Sequence, residues 1–170
     1  MKEVSVEGQP GNRMNSPDEP QPPKGRILAL DLGQMRVGVA ICDDLRISIT
    51  RMNPILRTNW KQLLADVAHL AQEHDAKALV IGLPLSMDGT KASAAAAARQ
   101  TAENFARSLS IPVFLQDERL TSVAAAEQLR AAGHTPKEVA QPIDSEAAAI
   151  ILADFLDAKT KTRISRDIAD

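Results

Sequence analysis

Apolar positions in this chain gather into short blocks from about Gly25 onward, and the period inside the blocks changes partway along. The first three have strand length, at 26–32, 36–43 and 46–50, the last running on toward Ile55. The gaps between them are too short for helical crossovers, so the three pair antiparallel as a meander. The spacing then lengthens to a helical period, with Trp60, Leu63, Leu64, Val67, Leu70 and Ala71 on one stripe. Ala78-Leu79-Val80-Ile81 reads as a fully apolar strand, stopped by Gly82-Leu83-Pro84. Lys91 to Leu109 predicts an alanine-rich helix with Ala98, Ala102, Phe105 and Leu109 on one face. Alanine favours the helix and lets it lie close to a sheet. Strand 112–116 follows, built on Val113-Phe114-Leu115, then a helix from Val123 to Ala132 closed by Gly133. A last helix starts near Asp144 and shows Ala148, Ile151, Leu152 and Phe155.

A meander followed by two βα crossovers, each right-handed by rule, gives a five-stranded mixed sheet in the order 3-2-1-4-5, flanked by helices. This α/β arrangement is ribonuclease H-like. It puts the first strand in the centre and Asp31 at its carboxyl end, the edge where open α/β sheets bind ligands. Residues 1–24 hold half of the ten prolines and little apolar periodicity, which predicts a disordered tail. The domain runs from 25 to 158, and the charged end 159–170 is expected to fray.

The chain has 170 residues and is 44% apolar, enough for one domain with a substantial core. The single cysteine, Cys42, excludes an intramolecular disulfide and fits a reducing compartment. No stretch is long or apolar enough to cross a membrane, and the first residues lack a secretion signal, so a soluble cytoplasmic protein is expected. A net charge of −2 counts against a non-specific nucleic-acid coat protein, yet leaves room for an enzyme with a local basic rim. With no Tyr and one Trp, recognition by stacking bases on aromatic platforms is disfavoured.

Candidate chemistry follows the sheet edge. Asp31 ends an apolar strand, and a carboxylate there is costly unless something binds it. Its plainer reading is a turn residue before Gly33, whose missing side chain would also let a phosphate approach the backbone. Asp117-Glu118-Arg119 follows strand 112–116 at the same edge. Asp144 is a third candidate, although an Asp before Glu146-Ala147-Ala148 also suits a helix N-cap. Carboxylates converging on one edge suit phosphodiester chemistry, with hard oxygen ligands for Mg2+ or Mn2+. Arg36 and Arg119, beside candidate acids, would hold phosphates, and Lys91 and Arg99 would extend the rim. Asp88 is read as shaping its loop, Asp43-Asp44 as a hairpin turn, and His69 and His74 as helix-surface residues.

Four motifs in register sharpen the picture: Asp31-x-Gly33-x-x-Arg36-x-Gly38, Gly82-Leu83-Pro84 to Asp88-Gly89, Asp117-Glu118-Arg119-Leu120-Thr121, and Asp144-x-x-Ala147-Ala148. Across about residues 26–157 the chain resembles the YqgF family, also called RuvX, the Holliday junction resolvase-like proteins associated with pre-16S rRNA processing. The family is similar in fold to RuvC-type nucleases. The resemblance implies a metal-dependent nuclease with Asp31, Glu118 and Asp144 as catalytic metal ligands. It also implies action on structured RNA, the 5′ end of pre-16S rRNA, with a ribosomal subunit as a further partner. One departure from RuvC stands out: Gly82-Leu83-Pro84 occupies the end of the fourth strand, where RuvC-like resolvases place an acid. An acid from the fifth strand must reach across one strand, roughly 10 Å, which allows a one-metal or substrate-assembled site. The alternatives are a Holliday junction resolvase acting on branched DNA and a non-catalytic ribosome-assembly or nucleic-acid-binding module. A phosphotransferase of the actin and sugar-kinase type needs two such domains, and this chain is long enough for one. The oligomeric state is left open.

Overall fold

The computed structural model describes residues 20–84, 89–117, 132–133 and 136–166, the side chains of 89–92 and 136–144 excepted. In chain order the elements are β1 (Ile27–Leu32), β2 (Arg36–Cys42), β3 (Ile49–Leu56), α1 (Trp60–Glu73), β4 (Ala78–Leu83), α2 (Gly89–Ser108), β5 (Val113–Asp117), α3 (Pro136–Asp157) and β6 (Thr162–Arg163). They form a six-stranded sheet in the order β3-β2-β1-β4-β5-β6. β1 pairs antiparallel with β2 and parallel with β4. The expected order is present, with one strand more than the sequence predicts. β6 adds antiparallel to β5 through Phe114↔Arg163 and Leu115↔Thr162, so part of the segment expected to fray is an edge strand. Two residues, one of them charged and preceded by Lys161, give almost no strand signal, and β5 supplies the template.

The sheet is covered on both faces. Strand alternation sends Leu28, Leu30, Leu79 and Ile81 into one core with Leu63 and Val67 of α1 and Ala102 and Phe105 of α2. The neighbouring positions Ile27, Ala29, Val80 and Phe114 enter the other, with Ala148, Ile151, Leu152 and Phe155 of α3. Phe114 and Phe155 meet at 5.3 Å between ring centroids, and Trp60 meets Phe105 edge-on at 4.8 Å. Asn59 caps α1, its side chain accepting from the Gln62 amide at 2.9 Å.

α3 departs from expectation. It begins at Pro136, not near Asp144, and runs on through Pro142. An interior proline removes a donor and ordinarily ends a helix, which is why the sequence suggests a later start. Pro136 at the first helical position needs no donor. Asp144 is therefore inside α3 and is not its N-cap. Of the helix expected at 123–132, residues 123–131 lie outside the described residues, while Gly133 has the left-handed conformation (φ +82°) expected at a helix end. The Asp43 turn is as expected: its Oδ1 accepts from the amides of Ile47 at 2.7 Å and Ser48 at 2.9 Å. Those bonds, that from Ser48 foremost, hold the Asp43 carboxyl below its usual range. Cys42 is buried and accepts from the Ile27 amide at 3.2 Å, and burial pushes its thiol up.

Candidate active site

The site grows from the end of β1. Apolar residues at 27–30 drive the strand into the sheet centre, and its carboxyl end carries Asp31 with them, only 9% exposed. Alternation places Asp31 on the α3 face, opposite Leu30 and Leu32. Its cross-strand partner is Gly38, so no side chain stands beside the carboxylate on β2. Among the described residues, no hydrogen bond or ion pair engages the Asp31 side chain. A carboxylate so enclosed, with no partner among the described residues, is a group that a cation would stabilise.

The turn from β1 into β2 is tightly built. The Gly33 amide donates to the Asp31 carbonyl at 3.1 Å, and the Arg57 amide donates to the Met35 carbonyl at 3.0 Å. The Arg57 guanidinium also donates to the Gly33 carbonyl at 2.9 Å. A Cβ on Gly33 would lie 2.4 Å from the Arg36 carbonyl oxygen, so glycine is required by the turn itself. Arg36 opens β2 half-buried, its guanidinium without a partner among the described residues.

α3 passes over the same region. Ser145 is buried, and its hydroxyl donates to the Met52 carbonyl of β3 at 2.6 Å. Glu146 pairs with Arg51 at 2.6 Å, the acid largely enclosed and the base largely exposed. These two contacts fix α3 against β3 at the residues that follow Asp144, whose own side chain is outside the described ones. β5 ends on half-buried Asp117, in register with Leu83 of β4. β4 thus ends without an acid, and β1 and β5 lie two interstrand spacings apart, roughly 10 Å.

The structure thus brings Asp31 and Arg36 to one turn. Glu118 and Arg119 lie outside the described residues, as does the side chain of Lys91. Arg99 is exposed on α2, about 15 Å along the axis from the helix start. Among the described residues, no three acids, histidines or cysteines gather into a metal-binding group. Sequence reasoning passed over Arg57, which belongs to no motif. The signal was in the topology: β3 runs antiparallel to β2, so the residue following Leu56 must return to the turn before Arg36. Arg57 also lines a cleft of about 320 Å3 between the end of β1, Pro84 and α2.

A family model described as RuvX, Holliday junction resolvase, matches residues 25–158. The chain belongs to the RuvX family. Among family relatives, a protein of Synechococcus sp. is 39% identical over 136 residues, covering 80% of this chain and 91% of its own length. One of Chloroflexus aurantiacus is 42% identical over 137 residues, covering 78% and 87%. Both carry the name "Putative pre-16S rRNA nuclease". Among solved structures, T. thermophilus RuvC in complex with Holliday junction substrate aligns with a TM-score of 0.53. It is 14% identical and covers 82% of this chain and 99% of its own, a likeness of fold that agrees with the ribonuclease H-like sheet order. No helix among the described residues is long and apolar enough to cross a membrane.

Proposed function

We propose that this RuvX-family chain is a metal-dependent nuclease that processes the 5′ end of pre-16S rRNA. The observation that carries the reading is Asp31, a buried carboxylate with no described partner at the carboxyl end of the central strand. Its oxygen donors fit a hard cation, and the three carboxylates that would hold it are Asp31, Glu118 and Asp144. Bound Mg2+ or Mn2+ would supply an activated water and stabilise the leaving oxygen of a phosphodiester. Arg36, next to the turn, would bind the phosphate. Arg119, Lys91 and Arg99 are the further cationic candidates for the substrate strand, which a chain of net charge −2 must attract locally.

The RNA assignment draws on the name borne by relatives at 39% and 42% identity. Branched DNA is the second reading, favoured by the RuvX description. The two are separated by offering purified protein a 5′-extended 16S precursor and a four-way DNA junction side by side, with Mg2+, Mn2+ or EDTA. Metal-dependent trimming of the precursor is expected. Paired junction cuts with the precursor untouched would give the protein to the second reading, and cleavage undiminished in EDTA would remove the metal from both.

A further inference from the structure

The cleft beside Arg57 lies on the sheet face opposite Asp31. Leu32, one residue on, forms its floor, and Pro84, Ala94 and Ala97 form apolar walls. Gln34, Arg57 and Ser93 supply its polar edge. Two hydrogen bonds to the 33–35 turn, one from the backbone and one from the side chain, hold Arg57 in place. Its guanidinium carries further donors besides the one given to Gly33. At about 320 Å3 the volume is at the small end of ligand sites. It suits one nucleotide unit and is too small for a duplex. Alanines leave a flat apolar wall for a base or sugar, and the fixed guanidinium matches a phosphate.

We infer that this cleft is a subsite for one unpaired nucleotide of a single-stranded segment, its phosphate held by Arg57. Asp31 and Leu32 are consecutive and point to opposite faces of β1, so the strand passes over the carboxyl edge of the sheet. The phosphate to be cut lies on the Asp31 side and the neighbouring nucleotide on the α2 side. The site therefore selects substrates with an unpaired stretch at the cut. The inference rests on the nuclease reading for which side is cut, but binding in the cleft can be tested without cleavage.

The test measures binding of a short fluorescein-labelled single-stranded RNA to the full chain, in EDTA, by anisotropy across a range of salt concentrations. Arg57→Gln removes the cation. Ala97→Leu fills the cleft from an exposed helix position and leaves the Arg57 charge in place. Arg107→Gln, near the far end of α2, is the charge-matched control. Arg57→Gln should weaken binding about tenfold, as loss of one charge-assisted contact does, and lower the salt slope by about 0.7. Ala97→Leu should weaken binding by a similar factor with the slope unchanged, and Arg57→Lys should restore the slope. Melting curves check that each variant is folded. Ala97→Leu keeps the test decisive if Arg57→Gln is not. Wild-type affinity in Ala97→Leu, or an Arg57→Gln loss no larger than the control's, overturns the subsite. If the variants lose binding while the wild type cuts neither precursor nor junction, the subsite stands and the nuclease reading falls. If the wild type cuts and the variants bind normally, the reverse holds.

Discussion

Gly33→Ala probes how tightly the turn governs the chemistry. A Cβ at this position would lie 2.4 Å from the Arg36 carbonyl oxygen, whereas ordinary van der Waals contact begins at 3.4 Å. Both groups belong to the backbone, so no rotamer change relieves the clash, and the turn must open by about 1 Å. Opening it pulls on the Gly33 amide bond to the Asp31 carbonyl and on the Arg57 bond to the Gly33 carbonyl. Overpacking of this kind costs about 1–3 kcal/mol, a fall in Tm of several degrees for a domain of this size, which leaves the protein folded at room temperature. Catalysis is less tolerant, because a misplacement of about 1 Å can cost roughly a hundredfold in rate. The variant should therefore be folded by circular dichroism, melt a few degrees early, and cleave precursor RNA about a hundredfold more slowly. Cleavage within about threefold of wild type by a stably folded Gly33→Ala protein would refute the claim that this turn sets the geometry around Asp31.

Other consequences are local. Ser145→Ala removes the 2.6 Å bond to the Met52 carbonyl and should cost about 1 kcal/mol, read as a lowered denaturant midpoint at unchanged slope; an unchanged midpoint would mean that packing alone seats α3. Amide donors hold the Asp43 carboxyl below its ordinary value of 3.8, so its contribution is present above that pH and fades as pH falls through the lower folded value. Asp43→Ala should accordingly lower Tm near neutral pH, with the gap to wild type closing in acid; a gap constant into strong acid would contradict the assigned cause.

How much of this was legible in the sequence varies from element to element. The meander and the central place of β1 followed from gaps too short for a helix, and the apolar blocks were long enough to mark β4, β5, α1 and α2. β6 was not legible, because two residues carry no period, and it is the open edge of β5 that pairs with them. The start of α3 was misplaced because Pro142 is a local stop signal that the packed helix overrides. At the site, Asp31 stood out as an acid ending an apolar strand, and the structure adds its enclosure and its glycine neighbour across β2. Gly33 was read as a turn glycine that also admits a ligand, and the structure adds that the Arg36 carbonyl leaves no room for a side chain there. Arg57 lacked any motif, since its place depends on the return of β3 to the turn, a pairing that spans more than twenty residues.

Whether Asp31 holds a metal for phosphodiester cleavage is decided by Asp31→Asn. The substitution keeps the shape of the side chain and removes the charge that a cation needs. The variant and wild type should be compared on the same 5′-extended 16S precursor, for cleavage with Mg2+ or Mn2+ and for binding in EDTA. If Asp31 holds the metal, cleavage is lost in the variant while binding is kept or strengthened, because one negative charge beside the phosphate is gone. Cleavage by Asp31→Asn at the wild-type rate would contradict it.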